Sequence, residues 1–113
     1  MKMLIRACWV TLSVLLVAAF GIAKAAEFWS GPTTITGLYP YAENAFVFNT
    51  AYANPTYSTC DGGKRFMIPK SHGNYESQVA AIMLAFATGK TINMVIVVLP
   101  AACEATVDRF FIQ

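Results

Sequence analysis

The sequence predicts a single α+β domain, mainly β, with five strands and one helix between the third and fourth. Three observations carry that expectation. Length is one: 113 residues fit one domain. The second is that β-branched and aromatic runs recur between turn signals on both sides of one alanine-rich segment. The third is that only this segment, residues 74–88, carries apolar residues at a helical period.

The elements follow in order. Residues 29–39 contain Thr33-Thr34-Ile35-Thr36, a β-branched run suited to a strand. Gly31-Pro32 lies near its start, where a missing N–H does least harm, and Gly37 suggests a bulge or bend. Residues 43–52 read as a second strand, with Phe46, Phe48, Thr50 and Tyr52 on one face and Val47, Asn49 and Ala51 on the other. Asn54-Pro55 opens a loop that runs to the turn Asp61-Gly62-Gly63. A short third strand spans 64–68 and stops at Pro69.

The period then changes. Val79, Ile82, Met83 and Phe86 fall at i, i+3, i+4 and i+7, one apolar stripe of a helix over 74–88, and Gly89 suits the left-handed cap that ends it. Ala80, Ala81, Leu84, Ala85 and Ala87 leave this helix with few polar positions, so coverage on more than one side is expected. Residues 92–99 are apolar almost throughout, which predicts a strand buried on both faces. Residues 107–112 form the last strand. This order of strands and helix is that of the OB-fold, a small five-stranded barrel that binds oligosaccharides or oligonucleotides on strands two and three and at the loops of one end.

Composition divides sharply along the chain. Lys2 and Arg6 precede an uncharged stretch over 7–23, and Ala23-Lys24-Ala25 has the small-x-small pattern of a cleavage site. Residues 1–26 therefore read as a secretory signal peptide rather than a membrane anchor, since a spanning helix needs about 20 apolar residues. A secreted or periplasmic protein, residues 27–113, is expected. Without the leader, the formal charge of +2 becomes a near-neutral balance of five basic and six acidic side chains. The basic residues are scattered, which argues against nucleic-acid binding.

Cys8 leaves with the leader, so Cys60 and Cys103 have a single possible pairing. In an oxidising compartment a disulfide is the expected state; two free thiols or a metal pair are the rivals, and one distant histidine makes a poor metal site. No metal or cofactor is expected. Catalysis is not expected either: His72 is the only histidine and lies in a polar turn, Asp61-Gly62-Gly63-Lys64 lacks the spacing of a phosphate loop, and Glu104 and Asp108 read as solvated.

Carbohydrate recognition uses aromatic rings with hydroxyls and amides, which Tyr39, Tyr41, Asn44, Tyr52, Asn54, Tyr57, Ser58 and Thr59 supply. Tyr41, Tyr52, Tyr57 and Ser58 are the candidate ligand-binding residues; core or rim packing is the competing role for each tyrosine.

Glu27-Phe28-Trp29-Ser30-Gly31, Cys60 five residues before Arg65-Phe66, and an alanine-rich helix ending in Thr88-Gly89-Lys90 ahead of an apolar strand and Cys103 form a pattern. It resembles the B subunits of the pertussis-like bacterial AB5 toxins, of the subtilase cytotoxin and typhoid toxin type, and related small exported proteins. The resemblance implies an OB-fold subunit in a homo-oligomeric ring of five, helices around a central pore, a surface for host sialoglycans and a toxin A subunit as partner. A serine at the start of the first strand contacts the glycan in that family; Gly31-Pro32 interrupts the match beside Ser30, so the role is not transferred. The alternative is a standalone periplasmic or secreted structural or interaction protein that binds no glycan.

Overall fold

The computed structural model describes residues 26–40 and 43–113. The expected leader lies outside the described residues, save Ala26. The protein is mainly β with one helix. Strands β1 (Glu27–Tyr39), β2 (Ala45–Thr50) and β3 (Arg65–Pro69) precede helix α1 (Tyr75–Thr88), and β4 (Thr91–Val97) and β5 (Ala105–Ile112) follow it. The five strands hydrogen-bond in a closed ring in the order β1-β2-β3-β5-β4. All neighbours are antiparallel except β3 and β5, which run parallel.

Alternation fills the ring. Phe46, Phe48, Phe66, Ile68, Ile92, Met94, Ile96 and Val107 point inward and share one core with Ile82 and Ala85 of α1. Burying a side chain of this size contributes about 1.5–3 kcal/mol, so these residues dominate the drive to fold. Val95, on the opposite face of β4, is also buried. Its cross-strand neighbours are Trp29 and Arg109, and the Arg109 guanidinium lies 5.9 Å from the centre of the Trp29 ring. The double burial expected over 92–99 holds for 94–96, whereas Asn93 and Val97 are half-buried and Leu99 is exposed.

β1 must bend to serve both β2 and β4. Its register shifts between Trp29 and Pro32 against β4 and between Ile35 and Gly37 against β2. Gly31 takes φ +78°, a conformation that glycine adopts without penalty, and its N–H donates to Asn93 Oδ1 at 3.1 Å. Ser30 Oγ accepts from the Met94 N–H at 3.0 Å and donates to the Gly31 carbonyl at 2.7 Å, so this hydroxyl pins the bulge.

The helix packs differently from the stripe the sequence suggests. Ile82 and Ala85 are buried, with Tyr75 and Val79 packed against the same core, but Met83 and Phe86 are 50% and 42% exposed. The small Ala85 lets the backbone approach the ring, and the buried face is rotated toward it. Lys90 N–H reaches the Ala85 carbonyl and Gly89 N–H the Phe86 carbonyl, a closing motif that the left-handed Gly89 (φ +67°) permits. Among the described residues no helix is long and apolar enough to cross a membrane.

The segment from Ala51 to Lys64 is held at several points. Tyr52 N–H donates to Thr33 Oγ1, which turns the chain out of β2 two residues earlier than periodicity predicts. Ser58 forms a parallel bridge with Ala102, and Cys60 is disulfide-bonded to Cys103. Gly63 has φ +89°, and a Cβ there would lie 2.5 Å from Pro55 N and 2.8 Å from the Asn54 carbonyl carbon. Gly63→Ala therefore clashes with backbone as well as straining its own; it is expected to destabilise by about 2–3 kcal/mol in urea unfolding, where Gly62→Ala, with open space around its Cβ, costs less.

Candidate functional site

Three strands and one turn bring polar side chains together on the outside of the ring. Leu38 packs toward the core, so the alternation of β1 turns Tyr39 outward. The same alternation turns Asn49 of β2 outward between two buried neighbours, Phe48 and Thr50. Asn49 pairs across the sheet with Gly37 on one side and Arg65 on the other. The Asp61 carboxylate enters from the 3₁₀ turn Asp61–Gly63, directly after the disulfide cysteine.

One oxygen organises the group. Asp61 Oδ2 accepts from Arg65 Nε at 2.8 Å, Asn49 Nδ2 at 3.0 Å and the Tyr39 hydroxyl at 3.2 Å. Arg65 also lies over the Tyr39 ring, 4.7 Å from its centre, and its Nη1 reaches Cys103 Sγ at 3.3 Å. Asn49 Oδ1 is buried and accepts no hydrogen bond among the described residues, an arrangement that folded proteins seldom leave unsatisfied. The cluster joins one aromatic ring, one guanidinium, one carboxylate and one amide whose oxygen is buried without a partner.

The hydrogen bond from Asn49, then that from Arg65, hold the Asp61 carboxyl below the usual carboxylate range. A group whose folded value is depressed stabilises the fold fully above its ordinary value, about 3.9, and that contribution is lost as pH falls through the folded value. Asp61→Asn is therefore expected to lose less stability than the wild type between pH 6 and pH 3. Urea midpoints at the two pH values read this directly; equal losses would contradict it.

The residues singled out from sequence are distributed differently. Tyr41 lies outside the described residues. Tyr52 stacks on Phe66 with ring centres 5.9 Å apart, and its hydroxyl accepts from Asn54 Nδ2 at 3.1 Å. Tyr57 packs on Phe28 at 5.5 Å and lines a cleft of about 240 Å³ with Met67, Val97, Leu99 and Glu104. Ser58 is fully buried, and its hydroxyl donates to the Cys103 carbonyl at 3.2 Å. Tyr57 and Ser58 meet beside the disulfide; Tyr52 belongs to the core side, and these three do not share one open surface.

The alternation of β2 sets Asn49 on the face opposite Phe46, Phe48 and Thr50, while Asp61 and Arg65 carry only turn and pattern roles in the sequence. The available signal was an outward amide opposite a basic residue, with an acid fixed beside a cysteine.

Elsewhere, His72 Nδ1 accepts the Asn74 N–H at 3.0 Å and Nε2 lies 3.5 Å from Asp108 Oδ1, a turn-closing role. Asp108 and Glu27 both bind Arg109, at 2.7 and 2.8 Å. Among the described residues no three His, Cys, Asp or Glu side chains converge as a metal site. Large apolar side chains are also exposed on two elements, Met83, Leu84 and Phe86 on α1 and Phe111 and Ile112 on β5, Leu84 to 60%.

No protein-family model matches the chain, and no curated protein matches it.

Proposed function

We propose that residues 27–113 form an exported OB-fold module that recognises hydroxyl-rich glycans on the outer face of β2 and β3 and works as a homo-oligomer, as the toxin B subunits it resembles do. The observation that carries the reading is the Tyr39–Asn49–Asp61–Arg65 cluster. It occupies the face that OB-folds use for oligosaccharides, and the ring order with a parallel β3–β5 pair supports that fold.

Its chemistry suits sugars. The carboxylate accepts and the guanidinium donates, so a pair of neighbouring hydroxyls has partners for both their protons and their lone pairs. Asp61 and Arg65 neutralise each other, which favours hydroxyl recognition over simple charge attraction. The disulfide supports residence in an oxidising compartment. The apolar residues exposed on α1 support self-association, because a helix apolar nearly all round is covered on more than one side. No toxin A subunit is required by any of these features, and it stays an expectation of the resemblance.

Retention on an array of sialylated and neutral glycans tests the binding, and native mass measurement tests assembly. The expected results are retention of a defined glycan set, a loss of at least about tenfold in affinity for Asn49→Ala at an unchanged fold, and a mass above the monomer. Failure to retain any glycan would overturn the binding, and a clean monomer would favour the standalone alternative.

A further inference from the structure

The two sulfurs of the Cys60–Cys103 bridge have different surroundings. Arg65 Nη1 lies 3.3 Å from Cys103 Sγ. That guanidinium is fixed from the other side by Asp61 Oδ2 at 2.8 Å and stacks over the Tyr39 ring, so it is held at the sulfur. Cys60 is followed instead by the Asp61 carboxylate. Both cysteines are half-buried rather than sealed in the core.

A permanent cation beside one sulfur stabilises a thiolate there. In thiol–disulfide exchange the attacked sulfur stays in the new disulfide and the other leaves, and it leaves faster as its thiol becomes more acidic. We infer that the bridge is a directed thiol-exchange site, at which a small exogenous thiolate attacks Cys60 Sγ and Cys103 departs as a thiolate held by Arg65. In that step the thiolate sulfur bonds to Cys60 Sγ, the Cys60–Cys103 bond breaks, and its electron pair leaves on Cys103 Sγ. A second thiolate then attacks the adduct sulfur and releases Cys60 as a thiolate, so that two equivalents of thiol are oxidised to a disulfide as the bridge is reduced.

The surrounding backbone suits reversible opening. Thr59 N–H donates to the Ala102 carbonyl at 2.9 Å, Ala102 N–H to Tyr57 at 3.2 Å and Cys60 N–H to Cys103 at 3.3 Å. These bonds keep the two cysteines side by side after the sulfurs part. The product of the first step is thus a mixed disulfide on Cys60, poised to re-close when Cys103 attacks it. The inference is independent of any glycan.

The oxidised protein, purified without reductant, is exposed to limiting cysteamine, quenched in acid, alkylated and digested with trypsin. Lys64, Arg65, Lys70 and Lys90 place the two cysteines on separate peptides. The expected result is cysteamine on the Cys60 peptide and the alkyl group on the Cys103 peptide, about fivefold or more over the reverse. Arg65→Gln brings the ratio toward one, and Arg65→Lys keeps the bias. Equal labelling, the reverse preference, an unchanged ratio in Arg65→Gln, or a bridge that reacts only after unfolding would each overturn it. The wild-type ratio decides even where Arg65→Gln fails to fold.

Discussion

Replacing Cys60 and Cys103 together by serine is expected to lower the thermal midpoint by roughly 15–30 °C. The bridge closes a loop with a sequence separation of 43. Cross-linking residues that far apart removes enough freedom from the unfolded chain to stabilise by about 4 kcal/mol before any strain in the folded state is subtracted. In a domain of this size each kcal/mol moves the midpoint by about 4–8 °C. The effect is large because the core of so short a chain is marginal. Ser58 and the backbone bonds to Ala102 keep the loop docked in the folded variant, so the loss falls mainly on the unfolded side of the equilibrium. Circular dichroism melts of oxidised wild type and the double variant read the shift, and a change under about 3 °C would contradict the account.

Phe66→Ala is the second large effect, at about 3–5 kcal/mol. Phe66 is fully buried, 6.4 Å from the Phe48 ring and 5.9 Å from Tyr52, at the centre of the ring of strands. It pairs with Phe48 across β2–β3 and with Ala105 in the parallel β3–β5 ladder. Truncation leaves a cavity where these elements meet, and strands on both sides cannot collapse into it together. Urea unfolding measures the loss; less than about 1 kcal/mol would mean that the site relaxes far more than its packing implies.

Much of the fold was legible because local signals agreed with one another. Gly37 fell at a real register shift, Gly89 ended the helix where expected, and Phe46, Phe48 and Thr50 share the inward face their alternation required. The helix face was not legible. Val79, Ile82, Met83 and Phe86 keep helical spacing, yet the helix is apolar nearly all round, so periodicity cannot choose a side; the small Ala85 decides it by allowing close approach. Strand ends depart from the sequence pattern where tertiary bonds intervene. Residues 43–52 have a continuous strand pattern, but Tyr52 N–H is taken by Thr33 Oγ1; β4 ends at Val97, one in-register bond, Val98 N–H to the Ala26 carbonyl, lying beyond it.

The candidate site was less visible for a different reason. Tyr39, Asn49, Asp61 and Arg65 come from separate segments, and no spacing along the chain announces that one carboxylate oxygen gathers the other three. Rings and hydroxyls make the tyrosines suit sugars in the sequence, but Tyr52 and Tyr57 face neighbouring aromatic side chains. The disulfide is the exception: with Cys8 set aside in the leader, one pairing was possible, and that pairing forms.

Amide chemical-shift mapping with a sialylated lactose, titrated into ¹⁵N-labelled oxidised protein, tests the central claim most directly. The predicted result is saturable shifts concentrated at Asn49, Asp61 and Arg65 and their β2–β3 neighbours, abolished by Asn49→Ala. Shifts confined to α1, or none at millimolar sugar, would contradict a glycan site on this face.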